Sequence, residues 1–244
     1  TGLICMSDQS VFRTLPLFNC LSEADREELE KQAVEQPWRK DEFIFRQGDS
    51  ADWFHILKEG TVKCVKSSPE GREVTLKVLL PGDLFCCEAS ALNGSSHPGC
   101  AQAMDNAKVI KISRKVLFEI IQRNPETAIQ IISYLGDRLR EVQDSAKAFA
   151  LDSAEQRLAS LLVNLASKAG ICEPEGLRLN VRLTRQDFAD MAGLTLETTS
   201  RILSRFKKEH LLIGTARRLI VSDLARLKAL ASESSSSLSV TSEK

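Results

Sequence analysis

The sequence predicts an α+β protein made of an antiparallel β-roll, a long helix and a C-terminal winged helix-turn-helix. Apolar residues alternate along short segments between residues 43 and 80, an apolar heptad follows over 128–149, and two capped helical segments flank Gly193. The predicted divisions are a β-roll over 11–124, a long helix over 125–151, a winged helix-turn-helix over 152–231 and a disordered, serine-rich tail over 232–244.

The composition is that of a globular chain. Of the 244 residues 43% are hydrophobic, and 33 Lys and Arg balance 33 Asp and Glu, so the net charge does not indicate a polyanionic partner. No apolar run approaches the roughly 18–20 residues that a membrane-spanning helix needs. The seven cysteines show no disulfide-framework spacing. We therefore expect a cytoplasmic protein with reduced thiols and no membrane partner.

Residues 11–36 are expected to form short helices, in which Ser22 is a suitable N-cap and Asp25 follows three residues later. From about residue 42 alternation predicts strands with one buried face, separated by turns such as Pro81-Gly-Asp83 and ending near Ile112. On this pattern His55 lies on an exposed strand face. The alternating residues are Phe43, Phe45, Phe54, Ile56, Val62, Cys64, Val74, Leu76, Val78 and Leu80.

The long helix carries apolar residues at alternating spacings of four and three, with charged residues between them. Such a narrow seam is buried best against a copy of the same helix, although packing on its own domain is the alternative. We predict a homodimer on this seam, because the segments before and after it each have an apolar core of their own. The seam residues are Ile132, Leu135, Leu139, Val142, Ala146 and Phe149, preceded by Ala128.

The second domain begins near Ser153, which forms a predicted capping box with Gln156, and its first helix runs over 154–169. Thr184 then caps a short helix that Gly193 ends, and Thr195 caps a second helix that runs from Leu196 to Glu209. Two helices joined by a glycine turn within about 25 residues are typical of a helix-turn-helix, whose second helix enters the major groove of DNA.

The exposed face of the second helix has the chemistry for reading DNA. Glu197 can accept from a cytosine amino group, and Arg201 can bond O6 and N7 of guanine. Ser200 suits a base edge or a phosphate, and the residues farther along suit phosphates. The alternative is an ordinary solvated helix face. The predicted DNA-contacting residues are Thr184, Arg185, Thr195, Glu197, Thr198, Ser200, Arg201, Arg205, Lys208 and, in the wing hairpin, Arg217 and Arg218.

These segments resemble the Crp/Fnr family of transcription regulators over roughly residues 11–231. The resemblance is carried by Thr184 to Leu203, by Phe45-Arg-Gln-Gly-Asp49, by Ile56-Leu-Lys-Glu-Gly60 and by Pro81-Gly-Asp-Leu-Phe85. It implies a cyclic-nucleotide-binding-like β-roll, a dimerisation helix and a winged helix-turn-helix. It further implies a homodimer that binds palindromic promoter DNA and contacts RNA polymerase.

Within that family Glu197, Ser200 and Arg201 match the Fnr-like reading pattern, which implies a TTGA-type half-site such as TTGAT-N4-ATCAA. The cyclic-AMP branch carries an arginine where this chain has Leu196. The same branch holds the nucleotide with a glutamate and an Arg-Ser pair, but Cys87 stands near the place of the glutamate and no arginine is near Cys100. We therefore do not expect cyclic AMP as the effector.

An iron-sulfur cluster of the Fnr type is not expected either, because only Cys5 and Cys20 are near the N-terminus. The remaining effector candidates are Cys86, Cys87, Glu88, His97 and Cys100. Thiolate and imidazole groups suit haem iron, another metal or redox chemistry. The alternatives are that the cysteines are small buried apolar residues or that the roll binds another small ligand. The effector, and any metal, stay unidentified at this point.

Two further classes of protein fit the sequence less well. One is a cyclic-nucleotide-type module that acts on a protein partner, against which the 184–218 segment argues. The other is an enzyme such as a thiol oxidoreductase. The sequence has no Cys-x-x-Cys motif, phosphate loop or catalytic triad pattern. We therefore predict that the chain is not an enzyme.

Overall fold

The structure, a computed structural model, describes residues 11–15, 18–67, 73–85, 94–215 and 218–232. The chain divides into two compact units, and the boundary lies between Glu141 and Val142. The first contains a β-roll with flanking helices, and the second contains the helix-turn-helix. The predicted α+β architecture is confirmed. Within the described ranges no helix combines the length and apolarity required to cross a bilayer.

Two short helices precede the roll: α1 (Val11–Thr14) and α2 (Glu23–Gln32). The predicted cap of α2 is present, since the Asp25 N–H donates to Ser22 Oγ at 3.1 Å. The prediction of helix as far as residue 36 is wrong. The chain turns at Ala33 into a strand, because the backbone of residues 34–38 finds its hydrogen-bond partners in a neighbouring strand.

That strand is β1 (Val34–Trp38), which pairs antiparallel with β8 (Ala107–Ser113). Pro37 has no N–H to donate and is tolerated because β1 is at the edge of its sheet. The same proline would interrupt a helix at this point. Pro37 therefore disfavours a helix at Gln36 and Pro37, in agreement with the extended chain seen here.

Two four-stranded antiparallel sheets form the roll. The first sheet has the order β1-β8-β3-β6, and the second has the order β2-β7-β4-β5. The remaining strands are β2 (Phe43–Phe45), β3 (Trp53–Glu59), β4 (Val62–Ser67), β5 (Glu73–Leu79), β6 (Leu84–Phe85) and β7 (Cys100–Ala103).

The first sheet is covered on both faces, which gives the unit two apolar clusters. On one face Phe54 and Ile56 of β3 pack with the flanking helices. On the other face Leu57 packs with Phe45 and Phe85 between the two sheets. Because both faces of β3 are buried, alternation does not mark an exposed side, and the prediction that His55 is exposed is wrong.

The predicted alternation also fails in β5, where Leu76 is 60% exposed. In the pairing of β4 with β5, Cys64 is opposite Lys77 whereas Val65 is opposite Thr75, so Leu76 is an extra residue on its strand. An extra residue of this kind is a β-bulge, and it exchanges the two faces of the strand beyond it. Leu76 therefore points outward, and Thr75 is buried.

Two helices follow the roll: α3 (Arg114–Arg123), capped by Ser113, and α4 (Pro125–Leu151). Helix α4 is 27 residues long, and only Thr127 and Ile131 are buried along it. The long helix is confirmed. Most of its apolar heptad residues are exposed on the isolated chain.

The second unit begins with α5 (Ala154–Ala169), whose predicted capping box between Ser153 and Gln156 is present. A four-stranded antiparallel sheet of order β11-β12-β10-β9 lies in the same unit. The final helix, α8, was not anticipated from the sequence and packs on α5. The elements are β9 (Gly170–Glu173), β10 (Gly176–Leu179), α6 (Arg185–Ala192), α7 (Leu196–Lys208), β11 (Leu212–Thr215), β12 (Arg218–Val221) and α8 (Leu224–Ser232).

Candidate nucleic-acid interface and sensor core

The first helix of the helix-turn-helix, α6, begins with a reciprocal cap. The Asp187 N–H donates to Thr184 Oγ1 at 3.1 Å, and the Thr184 N–H donates to Asp187 Oδ2 at 2.8 Å. This arrangement satisfies donors that a helix N-terminus otherwise leaves unpaired. Asp187 is buried, whereas Thr184 and Arg185 are exposed, as a contact with DNA requires.

Gly193 forms the turn between α6 and α7 with left-handed backbone angles, φ 61° and ψ 44°. A side chain would also lack space here, because a Cβ on Gly193 would lie 2.5 Å from Cε1 of Phe149. Glycine is therefore required at this position for two reasons, the left-handed backbone and the lack of space for a side chain. The Phe149 ring, which the sequence assigned to the dimer seam, thus also packs on the turn of the helix-turn-helix.

Arg157 of α5 forms hydrogen bonds both to the end of α4 and to the turn at Gly193. Its guanidinium donates to the carbonyls of Phe149 and Gly193, each at 3.3 Å. It also lies 5.7 Å from the centre of the Phe149 ring. One side chain thus bonds the end of α4, the start of α5 and the helix-turn-helix turn within the second unit.

Helix α7 begins at the Thr195 cap, whose Oγ1 accepts from the Thr198 N–H at 3.1 Å. Its buried side comprises Thr199, Ile202, Leu203 and Phe206. Its opposite side exposes Glu197 and Arg201 and leaves Ser200 partly exposed. The structure therefore places the predicted base-reading side chains on the solvent side of the N-terminal half of α7.

The basic residues near α7 differ in what they already bind. Arg205 forms an ion pair with Glu155 of α5 and lies 4.0 Å from Glu209. Arg218 donates to Glu173 at 2.6 Å. That hydrogen bond, with a second from Arg178, lowers the pKa of the Glu173 carboxyl, and the Glu173 carboxylate raises the pKa of Arg218.

Several predicted DNA contacts have no such partner. In the part of the chain that the structure describes, no ion pair involves Arg185, Glu197, Arg201 or Lys208. Arg217 lies outside the described residues. Some of the predicted DNA contacts are thus free of ion pairs. Others, Arg205 and Arg218, would first have to break an ion pair with a carboxylate before they could bind DNA.

The predicted effector group is described only in part. Cys86, Cys87 and Glu88 lie outside the described residues. His97 is buried and stacks on Phe45, with ring centres 3.7 Å apart and planes 8° apart. Cys100 is partly buried, and its Sγ accepts from the Gln47 N–H at 3.2 Å.

His55 joins His97 in the space between the sheets, although the sequence favoured an exposed strand position for it. It is only 3% exposed, and its ring centre lies 5.4 Å from Phe85, 5.4 Å from Phe45 and 6.3 Å from His97. Apolar residues flank it on both sides, in Trp53-Phe54 and Ile56-Leu57, and this is the sequence signal that indicates burial on both faces.

Burial, with smaller effects from the positive charge of Lys111 and the proximity of His97, lowers the pKa of His55 to about 3, although a hydrogen bond with the Phe85 backbone opposes the shift. The ring is therefore neutral near pH 7. Among the described residues, Nδ1 of His55 is buried and has no hydrogen-bond partner. Within the same residues, no three His, Cys, Asp or Glu side chains gather closely enough to bind a metal ion.

The geometry agrees with two family models. Residues 35–124 match the cyclic nucleotide-binding domain, and residues 156–230 match the Crp-like helix-turn-helix domain. Among solved structures, FixK2 from Bradyrhizobium japonicum is similar, with a TM-score of 0.75 and 27% identity over 83% of this chain and 98% of that chain.

Curated relatives match over most of their length. The Fumarate and nitrate reduction regulatory protein of Vibrio cholerae is 30% identical over 222 residues, which is 89% of this chain and 86% of that protein. The Transcriptional activator protein Anr of Pseudomonas protegens is 28% identical over 218 residues, which is 89% of this chain and 88% of that protein. Both relatives are regulators rather than enzymes. The chain belongs to the Crp/Fnr family of DNA-binding transcription regulators.

Proposed function

We propose that the chain is a homodimeric regulator that reads a TTGA-type palindromic promoter site and that a ligand in its β-roll controls this binding. The observation that carries the proposal is the face of α7. There Glu197 and Arg201 are exposed one turn apart near the helix N-terminus, and no ion pair within the described residues occupies them. A carboxylate can select cytosine and a guanidinium can select guanine in the major groove.

Operator preference tests the proposed site. The duplex TTGAT-N4-ATCAA is expected to bind more tightly than a duplex of the same length with TGTGA-type half-sites. Each mismatched base pair should cost about 1–3 kcal/mol. Fluorescence anisotropy at one salt concentration measures both affinities, and a duplex with scrambled half-sites sets the non-specific background. Tighter binding to the TGTGA-type duplex would contradict the proposed half-site.

The exposed surface of α4 supports the dimer. Along its apolar stripe (Ile132, Leu135, Leu139, Val142, Ala146 and Phe149), Ile132 is 67% exposed, Leu139 59% and Val142 64%. Leu135 is half-buried and packs on the first apolar cluster of its own unit. Aligned apolar side chains at heptad spacing on a helix are typical of a surface that a second helix covers.

A dimer would place two copies of α7 on successive major grooves, with half-sites about 34 Å apart. A small change in the pairing of α4 would then alter the spacing of the two reading helices. We propose that the ligand shifts the population between two arrangements of the paired α4 helices. This shift would control the binding of DNA. Promoter-bound dimers of this kind would act in the cytoplasm and contact RNA polymerase.

Contacts within the first unit support a connection between the roll and α4. The Tyr134 hydroxyl donates to the Leu84 carbonyl at 3.0 Å, and Arg138 donates to Asp83 at 3.1 Å. Arg138 also donates to the Tyr134 hydroxyl at 2.8 Å. Because Cys86 follows β6 directly in the sequence, a ligand at the predicted effector residues would act on a strand that is bonded to α4.

The class of effector is the open part of the proposal. We propose a redox-active thiol group or a metal-centred cofactor, with haem as one candidate, and we do not expect cyclic AMP or an iron-sulfur cluster. The name of the Vibrio cholerae relative refers to fumarate and nitrate reduction, which favours a signal linked to respiration. An absorption spectrum of protein purified from cells supplied with haem and iron tests this. A Soret band selects haem, and a colourless protein selects thiols or another ligand.

A further inference from the structure

Two of the three histidines in the chain meet in the interior of the β-roll. His55 comes from β3, and His97 comes from the segment just before β7, 42 residues later in the sequence. Their exposed fractions are 3% and 2%. The fold thus brings together, out of contact with solvent, two side chains that are common metal ligands.

The hydrogen bonding of His55 leaves one nitrogen ready to coordinate. Its ring bonds the Phe85 backbone, and Nδ1 has no partner among the described residues. In the neutral tautomer that carries its proton on Nε2, the Nδ1 atom has a lone pair that can bind a metal ion. A buried acceptor without a partner destabilises the folded state. A Lewis acid at Nδ1 would remove that destabilisation.

The separation of the two rings suits a shared ion. With metal–nitrogen distances of about 2.0–2.1 Å, two imidazoles on one metal have ring centres about 5 Å apart at a tetrahedral angle and about 6.4 Å apart when opposite. The observed 6.3 Å lies at the upper end of this range, so the two imidazoles would be nearly opposite each other on the ion, as the tetragonal geometry of Ni²⁺ allows. Phe45 and Phe85 already pack on the two imidazoles, which favours a small ion over a macrocycle.

We propose that His55 and His97 form a binding site for a divalent metal ion of the zinc and nickel class. No third protein ligand joins them within the described residues, so the other coordination positions are open to small donor ligands. The site lies in the proposed sensor domain. The proposal concerns metal binding alone, so its test needs no DNA and is separate from the test of operator recognition.

Nuclear magnetic resonance of the full chain with labelled histidine gives the direct test. The three histidines yield three ring spectra, of which exposed His210 in the second unit is the internal control. Added Zn²⁺ should shift the ring signals of His55 and His97 and leave those of His210 in place. Signals of His55 and His97 that do not move at saturating Zn²⁺ would overturn the proposal.

Equilibrium dialysis with Ni²⁺ gives the matching variant test. His55→Gln and His97→Gln should each bind Ni²⁺ at least tenfold more weakly at one site per chain than the parent protein. His210→Asn should bind like the parent. All four proteins keep the seven cysteines, so adventitious binding to thiols cancels in the comparison. Equal Ni²⁺ binding by all four proteins would overturn the proposal. If a variant fails to fold, the histidine spectra of the parent protein with Zn²⁺ still test whether His55 and His97 bind the metal.

Discussion

At the scale of single residues, the environment of His55 has a measurable effect on stability. Its pKa is about 3 in the folded chain, against an ordinary value of 6.5 when unfolded. Between these pH values the unfolded state holds a proton that the folded state lacks, so the His55 contribution to stability is complete above the unfolded pKa and is lost as the pH falls. The loss is at most about 1.4 kcal/mol per pH unit.

We therefore expect the first unit to lose about 1 kcal/mol of stability from His55 alone between pH 7 and 5.5. Denaturant unfolding in chelator-containing buffer measures this through the fluorescence of Trp38 and Trp53, the two tryptophans of the chain, both in the first unit. His55→Gln should lose less stability over this interval than the parent protein. His210→Asn should match the parent, and equal losses in all three would contradict the assigned pKa shift.

Arg201 and Arg205 lie one turn apart on α7 but should differ in their effect on DNA recognition. Arg201→Ala removes the proposed base contact and should weaken binding to the preferred operator by about 1–3 kcal/mol while reducing discrimination between half-sites. Arg205→Ala should weaken binding less and equally on all sequences, because Arg205 is paired with Glu155. Anisotropy titrations on matched and mismatched duplexes measure both. A larger loss of discrimination in Arg205→Ala would reverse this assignment.

At the scale of elements, the junction of α4 and the helix-turn-helix depends on Gly193. Alanine in its left-handed conformation costs about 1–2 kcal/mol, and the added Cβ would also displace the Phe149 ring. We expect Gly193→Ala to lower the stability of the second unit by at least that amount and to weaken operator binding. Circular dichroism melts and anisotropy titrations provide the two readouts.

A double-mutant cycle separates the two causes. Phe149→Ala removes the ring that the new Cβ would meet, so in that background Gly193→Ala should cost only its backbone conformation. The coupling between the two positions should be about 0.5–3 kcal/mol. Strict additivity at matched protein concentration would show that the Phe149 contact does not restrict the turn.

The elements also show how far the sequence alone can lead. Helix caps at Ser22, Ser153 and Thr184 are local, so their side chains and spacing predict them. The bulge at Leu76 and the burial of His55 depend on strand register and on what covers each sheet face, which no local pattern contains. The ion pair of Glu155 with Arg205 joins residues far apart in the sequence and was not predicted for the same reason.

At the scale of the whole molecule, the exposed apolar stripe of α4 predicts that the chain depends on a partner copy. Leu139→Glu should yield a monomer, because a charge on the seam is costly to bury. It should also lower operator affinity more than tenfold, since one reading helix then binds alone. Sedimentation velocity and anisotropy measure the two effects.

Leu76→Glu is the matched control for that substitution. Leu76 is 60% exposed and Leu139 is 59% exposed, but only Leu139 belongs to the stripe. The control should remain dimeric and bind DNA like the parent protein. A dimeric Leu139→Glu protein would show that the two copies associate through another surface.

The pairing of Arg218 with Glu173 has a consequence for the search along genomic DNA. Each phosphate that a protein neutralises releases counterions and steepens the fall of log K with log salt by about 0.9. While Arg218 is paired with Glu173, its guanidinium does not neutralise a phosphate of non-specific DNA. Glu173→Gln should steepen the salt dependence by about one contact and tighten binding to scrambled DNA. We therefore expect the Glu173 carboxylate to limit the time that the regulator spends on sites it does not control.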